Sequence, residues 1–467
     1  MTLIGQRLLK DNCITQPQLK KALERQRLQG GHLGNNLIAL GFIEGKECQA
    51  LFNPTPKEPT SFQETGLNEV FINELILKHA LDMSEFTIPD MSNQMKLSLP
   101  LMDKSLDSLR KERLVEVKSA TQLSKLSYNF ALTDAGRSKA AHLKDIQLYT
   151  GPVPVPFEEY KQMVELQTIK SISINEQTLR QAFENIVIDD TLLRRLGTAV
   201  NSGKAIFLHG PPGNGKTTIA ETVGKLLPGE IYIPHAIMTE GEIITIFDSA
   251  THEPVPAKSG PDPIDQRWVL VKRPVIIAGG EMTLKGLDLD YNPVSKFYIA
   301  PLQVKANNGL FIIDDFGRQQ IEPQALLNRW IVPLERRTDF LSFHTGKKIE
   351  IPFDQIVIFS TNLEPKKLVD EAFLRRIRYK IKVDHPSLPA YKQIFKKVCK
   401  SNNISFDEPL FDFLINHLYK PNNVRFNSCH CRDLIDNIID EARFNGCKPE
   451  ITKESIQASW DSYYVDL

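Results

Sequence analysis

The chain has 467 residues, 41% hydrophobic and 24% charged, enough for several domains with ordinary apolar cores. Lys plus Arg and Asp plus Glu both number 57, so a formal net charge of zero excludes a strongly basic coat for nucleic acid and leaves only local patches. Six irregularly spaced cysteines read as reduced thiols rather than a disulfide framework, and no apolar run reaches the ~18 residues that span a bilayer.

The N-terminus lacks a basic segment followed by an apolar stretch and a small-residue cleavage site, so the expected location is cytoplasmic. Cys429, His430 and Cys431 adjoin, but two thiolates that wrap one ion usually stand further apart and no second pair exists. No zinc site is expected there.

Residues 1–52 contain an internal repeat at an offset of 29: Gly5/Gly34, Leu8/Leu37, Leu9/Ile38 and Ile14/Ile43. Leu19 and Leu23 continue the first copy at helical spacing. Each copy reads as helix, tight turn, helix, with Gly41 suited to a positive φ and Asn12 in the matching place. Residues 53–66, rich in Pro and polar side chains, read as a linker.

Residues 67–147 offer helices at Val70–Met83, Asn93–Leu97 and Leu101–Arg113. Extended pieces follow at Leu114–Lys118 and Tyr128–Leu132, then a helix capped by Thr133. That order is winged-helix-like. Acidic and basic residues balance across the segment, and the third helix mixes both signs, so contact with protein is favoured over DNA. Residues 148–160, with Pro152, Pro154 and Pro156, read as a second linker.

From 161 to 385 short apolar strands alternate with helices, the pattern of a parallel α/β sheet. The predicted core strands are Ala205–His209, Glu230–Pro234, Gly309–Ile313, Gln355–Ser360 and Tyr379–Val383. Residues 235–305 are expected to form β-hairpins inserted between the second and third of them. Residues 386–467 read as a helical lid.

The chemistry begins at Gly210-Pro211-Pro212-Gly213-Asn214-Gly215-Lys216-Thr217-Thr218, between a strand and a helix. Glycines let backbone N–H groups curl around a phosphate, and the helix N-terminus adds positive potential. Lys216 reaches the outer phosphates and the Thr217 hydroxyl suits Mg²⁺. About a hundred residues later, Leu310–Ile313 ends in Asp314 and Asp315, at the edge where parallel sheets bind ligands. Asp314 would serve the metal and Asp315 would polarise water. A further strand ends at Asn362, placed to hold that water. Arg375, Arg376 and Arg378 crowd the end of a helix, either as surface charge or as a finger for a neighbour's phosphate.

Phosphate loop, acidic strand end, polar strand end, arginine cluster and lid stand in the order of the AAA+ ATPases, which the chain resembles over roughly residues 170–467. The resemblance implies an α/β P-loop core with a C-terminal lid, the cofactors ATP and Mg²⁺, and a homo-oligomer such as a hexamer. It makes Gly210–Thr218 Walker A, Asp314 and Asp315 Walker B, and Asn362 sensor 1. Arg376 and Arg378 become finger candidates, and Arg432, opening a lid helix, becomes sensor 2. Family members usually carry Glu where Asp315 stands. The N-terminal repeat resembles the first domain of type II secretion and type IV pilus assembly ATPases, some of which bind cyclic di-GMP. Leu3 and His32 occupy the arginine places here, which favours docking over cyclic di-GMP binding. The expected function is ATP-driven remodelling or assembly of protein partners in pilus assembly or secretion, with a DNA-linked ATPase as the alternative.

Overall fold

A computed structural model describes the chain except residues 1–4, 6, 7, 10–12, 30–32, 34, 35, 38, 39, 44–54, 121–124, 257–262, 369–373 and 465–467. Leu3, Asn12, His32 and Gly34 of the repeat therefore lie outside the described residues. What is described keeps the repeat's symmetry. Leu8, Ile14, Leu37 and Ile43 share one buried cluster with Leu19 and Ala22 of α1 (Gln16–Gln29). Cys13 N–H donates to the Leu8 carbonyl at 2.9 Å, and Phe42 N–H donates to Leu37 at the same distance, again 29 residues on. Gly41 has φ +69°.

The next unit packs α2 (Glu69–Leu81), α3 (Ile88–Met95) and α4 (Leu99–Lys111) against β1 (Val115–Ala120), β2 (Tyr128–Leu132) and α5 (Asp134–Ile146). Asn68, Thr87 and Thr133 cap three of these helices through their side chains. Phe86 bridges to Phe130 by two backbone bonds, adding a short third arm to the β1–β2 hairpin.

This unit shares its core with the segment that follows. Tyr149, Val153, Ala236 and Ile243 belong to the same buried cluster as Leu75 and Leu106. The expected linkers are docked. In the second, β3 (Val155–Pro156) pairs with β6 (Ala236–Thr239), and α6 (Phe157–Leu166) follows directly. In the first, Pro56 accepts from Asp265 N–H at 3.0 Å and Glu58 N–H donates to Pro263 at 3.1 Å. Arg267 locks this junction. Its buried guanidinium grips Asp265 at 2.8–3.1 Å and donates to the Thr65 carbonyl at 3.0 Å. A fork of five donors fits one carboxylate and nearby carbonyls together, which a lysine cannot do.

After α7 (Glu176–Ala182) and α8 (Asp190–Ser202) the chain enters β4 (Ile206–His209) and α9 (Lys216–Lys225). Next come β5 (Glu230–Pro234), β6, β7 (Glu242–Thr245), β8 (Trp268–Lys272) and β9 (Val275–Ala278). They continue with β10 (Asp290–Asn292), β11 (Phe297–Ile299), α10 (Leu302–Lys305) and β12 (Leu310–Ile313). Then follow α11 (Pro323–Arg336), β13 (Thr338–Ser342), β14 (Lys348–Pro352), β15 (Ile356–Thr361), α12 (Pro365–Leu368) and β16 (Tyr379–Lys382).

The central sheet has the order β16-β4-β15-β12-β9, and every neighbouring pair is parallel. β12 and β15 are buried along their whole length, as strands covered on both faces must be. Alternation divides the sheet's side chains. Ile206 and Leu208 join α8 and α9 on one face, while Phe207 and Phe359 join Leu326 and Trp330 of α11 on the other.

One core strand differs from the expectation. Glu230–Pro234 pairs antiparallel with β8, outside the central sheet, and Val275–Ala278 takes the place beside β12. Both are short β-forming runs, and periodicity does not choose between pairing partners. The insertion does contain hairpins. β6–β7 and β10–β11 build a second sheet of order β10-β11-β7-β6-β3.

The last region is helical: α13 (Leu388–Ser401), α14 (Glu408–Phe413), a π-helical turn at Leu414–Tyr419, α15 (Ser428–Phe444) and α16 (Lys453–Tyr463). Arg432 stands one turn inside α15 rather than at its opening, and it is exposed. No helix among the described residues is long and apolar enough to cross a membrane.

Candidate nucleotide site

β4 ends against the phosphate loop; its parallel neighbour β15, and β12 on the far side of β15, end at the same edge. One edge of the sheet therefore carries Gly210–Thr217, Asn362, Asp314 and Asp315. The loop's backbone requires glycine in two places. Gly210 has φ +147°, and a Cβ there would lie 2.0 Å from the Val383 carbonyl oxygen. Gly213 has φ +76°, and its Cβ would lie 2.4 Å from Cys429 Sγ. Gly215, also left-handed, starts α9, so the first helical N–H groups face the loop.

Lys216 is 6% exposed. Its ammonium donates to the carbonyls of Gly210 at 3.0 Å and Pro211 at 2.8 Å, and to Asn362 Oδ1 at 2.5 Å. Burial pushes its pKa down, and the nearby carboxylates of Asp315 and Asp314 oppose that shift. Thr217 Oγ1 donates to Asp314 Oδ2 at 2.8 Å. Asn362 Nδ2 donates to Asp315 Oδ1 at 3.1 Å. Asp315 holds φ +48°, a left-handed conformation that Asp tolerates at some cost and that is common at functional sites. Pro212 and Thr218 are exposed at the loop's outer side.

Three supports were not foreseen. Gln319 Nε2 donates to the Asp314 carbonyl at 2.7 Å. Phe316 N–H donates to Ser360 at 2.7 Å, and Thr361 Oγ1 donates back to Phe316 at 2.6 Å, pinning the acidic turn to the end of β15. The lid also touches the loop through Asn427, Ser428 and Cys429. Only the last carried a local signal, an Asn-Ser pair before a helix.

Arg376 and Arg378 fall elsewhere, while Arg375 also lines the cavity beside the loop. Tyr379 pairs with Ile206, whereas Lys382 pairs with His209 at the phosphate-loop end. Arg378 and Arg376 thus lie beyond the opposite end of β16, roughly 10 Å or more from the loop at 3.3 Å per residue. Arg376 Nε pairs with Glu335 at 2.6 Å. Arg375, Arg376, Arg378 and Lys204 line a pocket of 620 Å³ there. A second cavity, of 910 Å³, adjoins the loop and is lined by His209, Pro211, Asn362, Lys382 and His385. Asp370–Phe373, the start of the predicted arginine run, lie outside the described residues.

The Thr217 hydroxyl and Asp314 carboxylate are hard oxygen donors held side by side, which fits Mg²⁺. No group of three or more His, Cys, Asp or Glu side chains arranged for a metal occurs among the described residues. A Mg²⁺ site does not need one, since substrate phosphates and water supply the remaining ligands.

A parallel sheet with the phosphate loop after an interior strand, acid and amide on nearby strand ends, and a helical region after the core define a P-loop α/β fold. A family model described as a domain of unknown function (DUF8689) matches residues 387–462, within the lid. A vesicle-fusing ATPase from Dictyostelium discoideum is 44% identical over 50 residues, 11% of this chain and 6% of that protein. The match therefore spans a small part of that relative's length. Among solved structures, the RuvB Holliday junction branch migration motor of Thermotoga maritima is 12% identical. It covers 62% of this chain and 74% of its own, with a TM-score of 0.36. NtrX from Brucella abortus, in complex with ADP, is 13% identical over 61% of this chain and 57% of its own, with a TM-score of 0.36.

Proposed function

We propose that the chain binds ATP with Mg²⁺ at Gly210–Thr218 and hydrolyses it as part of an oligomer. The observation that carries this is the 2.8 Å contact between Thr217 and Asp314, which joins the two metal-binding groups of a P-loop NTPase at one sheet edge. Loop N–H groups and Lys216 hold the phosphates. Thr217 and Asp314 hold Mg²⁺, which neutralises charge on the phosphate oxygens. Asp315 polarises the attacking water, and Asn362, bonded to it at 3.1 Å, orients that water. Arg432 acts from the lid on the bound nucleotide.

Arg376 and Arg378 sit at the far end of the sheet from their own phosphate loop, so their phosphate target belongs to a second copy. The oligomer, a ring such as a hexamer, then has one site at each junction. The substrate is a protein partner, handled in pilus assembly or secretion in the cytoplasm. The winged-helix-like unit (67–147) serves protein contact, because its acidic and basic residues balance and α4 mixes both signs. The N-terminal domain (1–52) serves docking. Steady-state ATP hydrolysis against protein concentration tests the core claim, with Lys216→Ala as control. Specific activity should rise with concentration and vanish in the variant. A wild type that binds ATP without turnover at any concentration would remove hydrolysis from the proposal.

A further inference from the structure

The lid helix α15 begins without a side-chain cap of its own: the Asn427 side chain makes no bond to the helix's first N–H groups. Those donors are nonetheless satisfied. Ser428 N–H donates to Asn214 Oδ1 at 3.1 Å, and Cys429 N–H donates to the Gly213 carbonyl at 2.8 Å. Both acceptors belong to the phosphate loop. Asn214 is 6% exposed, and its Nδ2 donates to Asn427 Oδ1 at 3.3 Å. A helix N-terminus normally takes such an acceptor from its own preceding residue. Here it is drawn from a loop more than two hundred residues away.

The contact has no slack and does not end at the surface of the lid. A Cβ on Gly213 would overlap Cys429 Sγ. Asn427 Nδ2 lies 3.3 Å from His430 Nε2, and the ring's other nitrogen is Nδ1. That nitrogen faces the hydroxyls of Tyr419 at 3.0 Å and Tyr464 at 2.9 Å. Tyr419 in turn bonds Tyr391 at 2.7 Å in the centre of the lid. A continuous hydrogen-bonded path runs from the phosphate loop to the lid's buried core.

We propose that the phosphate loop is the N-cap of lid helix α15, and that Asn214, Asn427 and His430 form a latch that turns a change in loop shape into a change in lid position. Asn427 and His430 are positioning residues. They act through the loop and touch no nucleotide. The link to nucleotide rests on the ATP-binding proposal above; the capping itself does not.

The test is hydrogen–deuterium exchange on the full chain, resolved at Ser428–His430, with and without Mg²⁺·ADP. Without nucleotide, Asn214→Ala should speed exchange in that first turn roughly 2- to 30-fold, the range a lost cap gives, and leave residues 436–444 of the same helix unchanged. Asn214→Ser, which keeps an acceptor, should restore most of the protection. With ADP at saturation for each variant, wild type should show a nucleotide-dependent change at 428–430 that Asn427→Ala lacks. Equal first-turn exchange in wild type and Asn214→Ala would overturn the capping. An undiminished ADP response in Asn427→Ala would overturn the latch. A general rise along α15 would also overturn it, by marking lid unfolding instead. Failure of wild type to bind ADP would sink the nucleotide proposal and the coupling with it, while the capping result would stand on the nucleotide-free chain.

Discussion

The Lys216 ammonium rests on the Asn362 side-chain oxygen at 2.5 Å, and the other end of the same amide donates to Asp315 at 3.1 Å. Lysine, amide and carboxylate, from the start of α9 and the turns after β15 and β12, form one line along the sheet edge. On the proposed reading an arriving phosphate draws Lys216 away from Asn362 and the carbonyls of Gly210 and Pro211, which would couple nucleotide binding to the setting of Asn362 against Asp315.

That coupling separates binding from turnover. Lys216→Ala should weaken ATP binding about 10- to 150-fold, the cost of one charge-assisted hydrogen bond of ~1.5–3 kcal/mol. Asn362→Ala and Asp315→Asn should keep ATP affinity within about tenfold and lower turnover by roughly 10²- to 10⁴-fold, as for a lost general base or its orienter. Calorimetric titration beside steady-state hydrolysis distinguishes the two patterns. Loss of affinity in Asp315→Asn as large as in Lys216→Ala would contradict the division of roles.

The separation between the phosphate loop and Arg376 predicts complementation. A Lys216→Ala chain carries intact arginines, and an Arg376→Ala/Arg378→Ala chain carries an intact loop. Each should be inactive alone. Mixed in equal amounts, they should regain roughly a quarter or more of wild-type turnover, because some junctions then pair a whole loop with whole arginines, where removing an arginine finger costs about 10³-fold or more. Absence of any recovery in a mixture shown to co-assemble would place the arginines outside catalysis. Arg376 must leave Glu335 to act, so Glu335→Gln should not lower turnover.

Arg267 offers a stability test away from the nucleotide. Its guanidinium and the Asp265 carboxylate are both buried, and Arg267 also holds the Thr65 carbonyl. Arg267→Ala strands Asp265 without its partner and should cost about 3–5 kcal/mol. The double variant Arg267→Ala/Asp265→Ala should recover part of that loss, since the buried Asp265 carboxylate no longer stands without its partner, while Glu159 still loses the guanidinium 3.9 Å away. Denaturant melts of the three chains give the comparison, and a double variant as unstable as the sum of the singles would show that the pair does not act together.

Local chemistry made much of this legible. Gly210 to Thr217, the acidic end of β12 and the polar end of β15 each follow a run of residues that fits only a buried strand, so motif and context agree. Thr133 and Gly41 announce a cap and a turn by their own chemistry. What the sequence hides is pairing at a distance. Val275–Ala278 and Glu230–Pro234 look alike as runs, and only register with β12 chooses between them. The proline-rich segments look like tethers because nothing within them shows that Arg267 reaches Thr65 across 202 positions. Asn214 reads as part of the phosphate loop alone until α15 is seen to begin on it.

The lid should also lose stability in acid through His430. Burial pushes its pKa down to about 4, with Asp433 opposing and His385 adding to the shift. The groups around the ring are Tyr419, Tyr463, Tyr464, Asn427, Asp433 and His385, and only the carboxylate would welcome a proton there. The unfolded chain binds a proton near the ordinary value of 6.5 and the folded chain does not until about 4. Between those values the unfolded state holds more protons, so folding stability rises with pH and is lost as pH falls from 6.5 towards 4. The loss is on the order of 2–3 kcal/mol for the lid. His235, also pushed to about 4 by burial, adds the same sign at the bend between β5 and β6. Trp460 packs on Tyr419 and Tyr464 and reports lid unfolding by fluorescence. The slope of lid stability with pH over 4–6.5 should flatten in His430→Gln, which keeps an amide for Tyr464 and Asn427. An unchanged slope would move the acid sensitivity to another group.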